Sequence, residues 1–147
     1  MNKINFENLP STRTPINASN LNQLQDNIED AFKAKVLWEN QTLRSFNPQT
    51  INLSSNDYDF LIIYIFRNPT LDLKTLTTRI EKNKQGEILY TDYFSNEVRV
   101  FSRVATVGTN TITFDDCFIN GTANNAILIP YKIVGCKYNW FFCKNMV

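Results

Sequence analysis

Histidine is absent from the 147 residues of the chain. Without an imidazole, one subunit can build neither a Cys/His zinc site nor a Ser-His or Cys-His nucleophile. The three cysteines, Cys117, Cys136 and Cys143, are an odd number at no metal-ligand spacing. We therefore expect no metal and no cofactor. We expect the thiols to be reduced and buried at synthesis, with one bridge formed later as the open alternative.

Glycine is also scarce, with four residues, and neither GxxxxGK[ST] nor GxGxxG occurs. Little material is left for a loop that cradles phosphate. No charge of one sign predominates, because Lys and Arg number 15, Asp and Glu number 14, and the formal net charge is +1. This balance argues against nucleic acid or an anionic membrane as the main partner.

Long hydrophobic runs are missing as well. The longest, "FLIIYIF" at 60–66, is far shorter than the roughly 20 residues that a membrane helix needs. The first residues, "MNKINFENLP", lack the apolar region of a signal peptide. We therefore expect no membrane insertion, and we expect assembly in the cytoplasm of the producing cell.

The amino-terminal part predicts an extended arm followed by a short amphipathic helix. Residues 1–16 contain Pro10 and Pro15 and show no periodicity, and Asn17 or Ser19 is a candidate helix cap. The apolar residues that follow have the a/d spacing of a heptad, and they are Leu21, Leu24, Ile28 and Ala31.

This apolar stripe is narrow, and polar side chains occupy the positions between its members. Such a seam favours an oligomerisation helix, and docking on the β domain of the same chain is the alternative. Two heptads are marginal on their own. A β domain would therefore have to contribute to any oligomer.

After "KAKVLWEN" the periodicity changes from the helical repeat to a repeat of two. The candidate strands are 49–54, 58–67, 71–80, 87–94, 97–106, 111–119, 126–135 and 137–143. Their spacing predicts a mainly β chain with an antiparallel β-sandwich, similar to a jelly roll. The predicted division is 1–35 for the arm and helix and 36–147 for the sandwich.

Two segments allow finer predictions within the sandwich. Segment 58–67 is apolar on both sides, with Tyr58 in the same row as Phe60, and this predicts a central strand covered on both faces. Pro130 interrupts an apolar run and predicts a sheet edge or a bulge.

Without histidine, catalysis would have to rest on carboxylates, Tyr, Lys or Cys. The candidate carboxylate pairs are Asp57 with Asp59, Asp115 with Asp116, and Glu87 with Asp92. A glycosidase needs two carboxylates about 5 to 10 Å apart across a cleft. Turns and strand ends explain these residues better, because Asp and Asn bond local backbone there. We assign no catalytic residue and expect no enzyme.

Aromatic and amide side chains are the candidates for binding sugar. The aromatic candidates are Trp38, Tyr90, Tyr93, Phe94, Trp140, Phe141 and Phe142, and the amides are Asn120, Asn124 and Asn125. Packing and turn formation are the competing interpretations, and the ligand-binding residues stay unassigned. The basic sets Arg79/Lys82/Lys84 and Arg99/Arg103 are interpreted as solvated faces.

One segment carries a resemblance. "PSTRTPINASNLNQLQDNIEDAF" resembles the amino-terminal segment of tail, baseplate or fibre proteins from phages of low-GC Gram-positive hosts. In that group a TP-hydrophobic-N-A-x-N-L-N phrase precedes an acidic amphipathic helix. "VLWEN", "QTINLSSNDYDFLIIYI", "TITFDDC" and "NNAILIPYKIVGCK" look like the small β domain that ends many of those chains. The likeness extends from Thr14 to Lys137.

The resemblance implies a non-enzymatic virion structural protein of fibre or receptor-binding type, commonly a homotrimer. Its amino-terminal segment would attach to other virion proteins, and its β domain would meet a host-surface glycan. The family usually has a longer shaft than the few residues between Phe32 and the first strand. That brevity leaves a capsid head-fibre or decoration protein without a receptor role as the alternative, and a glycan-degrading enzyme as a more distant one.

Overall fold

The computed structural model describes Ser19 and residues 21–26, 34–68 and 72–138. Ala34–Tyr138 form one compact unit. Within the described ranges the chain forms nine β-strands, and residues 21–26 are helical. The strands are β1 Lys35–Glu39, β2 Gln49–Asn52, β3 Phe60–Asn68, β4 Asp72–Glu81, β5 Gln85–Phe94, β6 Glu97–Val107, β7 Thr111–Ile119, β8 Thr122–Ala123 and β9 Ile129–Cys136.

The strands form two sheets in which every pair is antiparallel. Sheet I has the order β1-β9-β3-β4, and sheet II has the order β2-β7-β6-β5 with β8 paired to β7. The chain changes sheet four times, between β1 and β2, β2 and β3, β4 and β5, and β8 and β9. Two antiparallel sheets around one core confirm the mainly β class and the sandwich-like fold that the period-two pattern predicts.

The core lies between the sheets and follows directly from alternation along the strands. In β3, Leu61, Ile63 and Ile65 have no exposed surface, whereas the residues between them are half-buried. From sheet II, Ile112 and Phe114 of β7 enter the same core cluster. Each such side chain stabilises the fold by about 1.5–3 kcal/mol relative to its exposed state.

Turn residues with positive φ set two tight hairpins. Ser95 and Asn96 have φ of 50° and 64° between β5 and β6, and Asn120 and Gly121 have φ of 48° and 83° between β7 and β8. Positive φ at both central residues is typical of the type I′ turn, whose twist matches that of the flanking strands. Asparagine and glycine tolerate this conformation better than most residues.

Several details differ from the sequence prediction. β1 and β8 were not predicted: β1 lies within "KAKVLWEN", before the point where the repeat of two was taken to begin, and β8 has only two residues. Lys137 and Tyr138 lie outside any strand, and the rest of predicted strand 137–143 lies outside the described residues. Pro130 lies in the inner strand β9, where the register shifts against β3, so it marks a bulge and not an edge.

Tyr58 also departs from its predicted place. It precedes β3, is 2% exposed, and donates a hydrogen bond from its hydroxyl to the Gly108 carbonyl oxygen at 2.9 Å. The residue belongs to the core and not to the outer row of β3. Because Gly108 follows β6, this hydrogen bond connects the two sheets.

Candidate binding surfaces

The predicted oligomerisation residues fall only partly within the described chain. Leu21 and Leu24 lie in helical residues 21–26, where Leu21 is half-buried and Leu24 is 55% exposed. Ile28 and Ala31 lie outside the described residues. An exposed leucine on a short helix leaves apolar surface for another contact.

The outer surface of sheet I carries a row of rings, which we call the aromatic face. It contains five aromatic residues and one isoleucine. They are Phe60, Ile62, Tyr64 and Phe66 of β3 together with Tyr131 and Tyr138. The β3 residues are half-buried, on the opposite side of the strand from the core residues. The prediction that β3 is central is confirmed, since it pairs with β9 and β4. Cover on both faces is not seen, because the outer row keeps part of its surface exposed.

The rings of the aromatic face pack on one another in two groups. Phe66 stacks on Tyr131 with centroids 4.2 Å apart, and Tyr64 meets Tyr131 edge-on at 6.0 Å. Phe60 packs against Tyr138 at 5.3 Å. Burial raises the pKa of the Tyr131 hydroxyl, so this hydroxyl stays protonated near neutral pH.

Two cations lie over the rings of this face. The Arg79 guanidinium carbon is 3.9 Å from the Phe60 centroid, and the Lys132 amine is 4.6 Å from the Tyr64 centroid. Arg79 also donates to Glu81 at 2.9 Å. A cation above a ring is attracted by about 0.5–1 kcal/mol at an exposed site. The aromatic face thus offers flat apolar surface next to polar groups that donate hydrogen bonds.

The outer surface of sheet II carries a second apolar group, which we call the hairpin patch. Its exposed fractions run from 38% to 69%. The members are Leu89 and Tyr93 of β5, Val98 and Val100 of β6, and Phe118 of β7. Tyr93 lies opposite Val98, and both Leu89 and Phe118 lie opposite Ser102. Cross-strand neighbours on one face are within contact distance of one another, so the five side chains form one surface.

Charged side chains form hydrogen bonds on the inner side of the same hairpin. Arg99 donates to both carboxylate oxygens of Asp92, at 2.8 and 2.7 Å. Arg67 of β3 donates to the Tyr90 hydroxyl at 2.5 Å and to Asp92 at 3.4 Å. These bonds tie β5 and β6 to sheet I. The hairpin is therefore a positioned element, and its outer surface is presented in a fixed orientation.

Arg103 contradicts the prediction of a solvated face. It points inward from β6, and its side chain has no exposed surface. The guanidinium donates to the carbonyl oxygens of Asp115 and Phe46, at 2.7 and 3.0 Å, and to Asn125 Oδ1 at 3.2 Å. Its Nε has no hydrogen-bond partner among the described residues. Desolvation lowers the pKa of Arg103, although a guanidinium stays charged at neutral pH.

At least one member of each acidic pair has a structural partner. Asp116 accepts a hydrogen bond from Asn125 Nδ2 at 2.6 Å. Asp57 forms an ion pair with Lys137, whose hydrogen bond is the main cause of the lowered pKa of Asp57. Asp92 is bound by Arg99 as described. Across 21–26, 34–68 and 72–138, no group of three metal-ligating side chains occurs.

The amides proposed as sugar contacts bond the protein itself. Asn120 Oδ1 accepts from the Val100 N–H at 2.8 Å, and Asn124 Oδ1 accepts from the Ala126 N–H at 3.0 Å. Asn125 joins Arg103 to Asp116. These contacts agree with the interpretation of the three asparagines as turn residues.

The aromatic candidates divide by burial. Trp38 packs edge-on against Phe46 in the core cluster with centroids 6.0 Å apart, and Tyr90 packs against Phe101 at 5.7 Å. Tyr93 and Phe94 are exposed. The candidates at 140–142 lie outside the described residues. The aromatic face was missed by sequence reasoning, although the alternation in 60–66 already placed three of its rings in one row.

Comparisons with protein-family models, with curated proteins and with solved structures found no match. No described helix is both long enough and apolar enough to span a bilayer.

Proposed function

We propose that this chain is a phage virion structural protein of fibre or receptor-binding type. It is non-enzymatic and homotrimeric, attaches to other virion proteins through its amino-terminal segment, and adsorbs to host-surface glycan through the β-sandwich. The observation that carries this proposal is the aromatic face: half-exposed rings beside Arg79 and Lys132, on a rigid sheet.

The aromatic face has the chemistry that a sugar requires. The flat apolar side of a pyranose packs on a ring, and its hydroxyls need donors at the rim of that contact. Tyr64 and Tyr131 supply both a ring and a hydroxyl, and Lys132 supplies an amine next to them. A rigid strand orders these groups before binding, so less entropy is lost when a ligand is bound.

The trimer is supported by the helix. The predicted a/d seam is too short to be stable alone, and Leu24, in the described helical residues 21–26, keeps more than half of its surface exposed. Three copies would also multiply a weak sugar contact, because linked sites bind by avidity. The resemblance of the segment from Pro10 to Phe32 to phage tail and fibre proteins supports the same assembly.

The adsorption experiment measures retention of the fluorescently labelled protein on cell envelopes from a panel of low-GC Gram-positive bacteria. Tyr131→Ala and Lys132→Ala should each weaken retention at least tenfold, which corresponds to about 1.4 kcal/mol. Lys84→Ala is the matched control, because Lys84 is an exposed lysine in the β4–β5 turn, and it should bind as the wild type does.

Two results would contradict the proposal: no retention by the wild type on any envelope, or equal retention by all variants. Immunogold labelling of intact virions then separates the alternatives. Label on the tail supports adsorption. Label on the head without envelope retention indicates a decoration protein, and release of reducing ends from envelope polysaccharide would indicate an enzyme.

The helix is tested separately. Leu24→Asp combined with Ile28→Asp should dissociate the trimer and leave most of the β structure, because two carboxylates cannot be buried in an apolar seam. Gln23→Asp with Asn27→Asp, at polar positions of the helix that the sequence predicts, is the matched control. An unchanged mass by light scattering after the Leu24/Ile28 change would show that the helix does not assemble the protein.

A further inference from the structure

We infer that the hairpin patch is the contact between β-sandwiches, buried against the hairpin patches of two further copies of this chain around a threefold axis. This inference rests on the proposed function, since it names the surface through which the β domain contributes to the trimer. It concerns sheet II only and is independent of the aromatic face.

The first argument is the shape of the patch. Residues Leu89 and Tyr93 alternate along β5, and Val98 and Val100 alternate along the paired strand β6. Phe118 of β7 continues the surface. The largest apolar patches of monomeric proteins are often functional, and here the members are brought together by strand register and not by chance on separate loops.

The second argument is the tip of the hairpin, which extends past β7 and is held from its inner side only, where Arg67 and Arg99 bond Asp92. β7 pairs with β6 only from Phe101 onward, and beyond it Asn120 bonds the Val100 backbone. The segment from Asp92 to Arg99 is therefore a two-stranded ribbon. A two-stranded ribbon in water is marginally stable. Cover of its outer face by another protein surface would stabilise it.

The third argument identifies the occupant. The patch contains no charged side chain, and Thr91 and Ser102 lie between its members. Identical surfaces that meet at a symmetry axis repel one another if they carry charge, and a neutral surface avoids this penalty. The patch offers no cation to a nucleic acid, and its side-chain donors are only the hydroxyls of Tyr93, Thr91 and Ser102, too few for a glycan to replace its bonds to water. A second copy of the same surface is the partner that fits.

The charges on the rest of the sheet II surface set the extent of the contact. Glu87 of β5 and Asp115 of β7 are exposed and lie toward the opposite end of the sheet from the hairpin tip. Three copies that met over the whole sheet would bring these carboxylates together. Contact through the hairpin alone keeps them apart, so the hairpin tips point to the axis.

The exposed area of the hairpin patch indicates that it shares the trimer contact with another surface. Five large side chains at about half exposure amount to roughly 400 Å² per copy, with single aromatic residues burying about 150–250 Å². A stable interface buries roughly 800 Å² per partner. Each copy of a trimer contributes to two such interfaces, so the hairpin patch supplies about a quarter of the need, and the predicted apolar seam of the amino-terminal helix would supply a further part.

The experiment measures the mass of the full chain by size-exclusion chromatography with light scattering at micromolar concentration. The wild type should be a trimer. Leu89→Lys combined with Val98→Lys should yield monomers, with at least a hundredfold higher dissociation constant, because six lysines would meet near the axis. The matched control is Thr77→Lys with Thr106→Lys, two exposed threonines outside the hairpin patch, one in β4 of sheet I and one in β6 of sheet II, and it should stay trimeric.

A milder pair covers the case in which the lysine variant does not fold. Val98→Thr with Val100→Thr keeps the β-branched shape and removes apolar surface, so it should fold and should dissociate on dilution at least tenfold more readily than the wild type. Circular dichroism and thermal unfolding report the fold of each variant.

The outcomes separate the inference from the proposed function. A wild-type monomer or dimer would overturn the trimer and the inference together. A wild-type trimer that persists in the hairpin variants would overturn the inference alone and leave the helix as the assembly element. Monomeric hairpin variants beside a trimeric control would support it, whatever the result of the envelope-binding experiment.

Discussion

Sheet I lines the core with Leu61, Ile63 and Ile65, whereas sheet II places Arg103 in the same layer between Phe101 and Ala105. On their outer surfaces the contrast is reversed. Sheet I combines rings with Arg79 and Lys132, while the hairpin patch of sheet II has no charge. The comparison teaches that strand alternation sets which side a residue faces, and that the neighbours available on that side decide whether a charge is tolerated there.

The largest effect on stability is expected at Arg103, the buried charge that distinguishes the core side of sheet II from that of sheet I. Arg103→Ala should lower the free energy of unfolding by about 3–5 kcal/mol, because it leaves a cavity and removes the side-chain donor from the Asp115 and Phe46 carbonyl oxygens. Urea denaturation followed by tryptophan fluorescence measures the loss. Arg99→Ala, on the same face of the same strand but half-exposed, should cost about 1 kcal/mol or less. Equal losses of stability in Arg103→Ala and Arg99→Ala would show that the buried hydrogen bonds of Arg103 contribute no more than the partly exposed ones of Arg99.

A smaller effect is expected in sheet I at Gly135. A Cβ added there would lie 2.6 Å from Leu37 Cδ1 and 3.1 Å from Tyr58 Cβ. Gly135→Ala should therefore destabilise the fold by about 1–3 kcal/mol through overpacking. In a Leu37→Ala background the same change should cost less, since the nearest atom is gone. Strict additivity in the double-mutant cycle would contradict this packing.

The link between the sheets is tested by Tyr58→Phe, which removes the hydrogen bond to Gly108. The expected loss is about 1 kcal/mol at neutral pH, measured by thermal unfolding. Burial raises the pKa of Tyr58 above its usual 10.0, so the wild type loses stability as pH rises past that value, because the unfolded chain deprotonates first. The variant should lose less at alkaline pH. Tyr93→Phe, at an exposed tyrosine, serves as the control, and a parallel alkaline loss in both variants would argue against Tyr58.

The last prediction concerns reactivity and not stability. It compares the cysteine thiols of the two sheets. Cys117 of β7 is fully buried and Cys136 of β9 is half-buried, and both are free. Burial raises the pKa of both thiols, so the reactive thiolate is scarce at neutral pH. In the native protein iodoacetamide should modify Cys136 at least tenfold faster than Cys117, as measured on peptides by mass spectrometry. Equal rates in the native state would contradict the burial of Cys117, and equal rates in urea are expected.

Much of the fold was predictable because it rests on local alternation. The strands at 111–119 and 97–106 agree with β7 and β6 within one residue. Where the pattern was ambiguous, it failed for a physical reason. In "EVRVFSRVAT" both faces contain valine or phenylalanine, so periodicity gave no sign that Arg103 faces inward. Its burial depends on the carbonyl oxygens of Phe46 and Asp115, which lie 57 and 12 residues away along the chain.

The candidate surfaces were predicted less well than the strands. Tyr93 and Phe94 were singled out and are exposed, but Leu89, Val98 and Val100 were not connected with them. A surface patch is defined by register between strands, and register depends on turn geometry at Ser95 and Asn96. The same holds for Tyr131, which meets Phe66 only because β9 pairs with β3.

The mainly β class of this protein follows from its amino-acid sequence, because alternating apolar residues and turn signals specify antiparallel strands. The absence of histidine excludes, within one subunit, the sites that need an imidazole. Tertiary structure decided which charges are buried and which apolar residues remain exposed. Those outcomes depend on partners distant along the chain, because a side chain's free energy is set by what surrounds it and not by its neighbours in sequence.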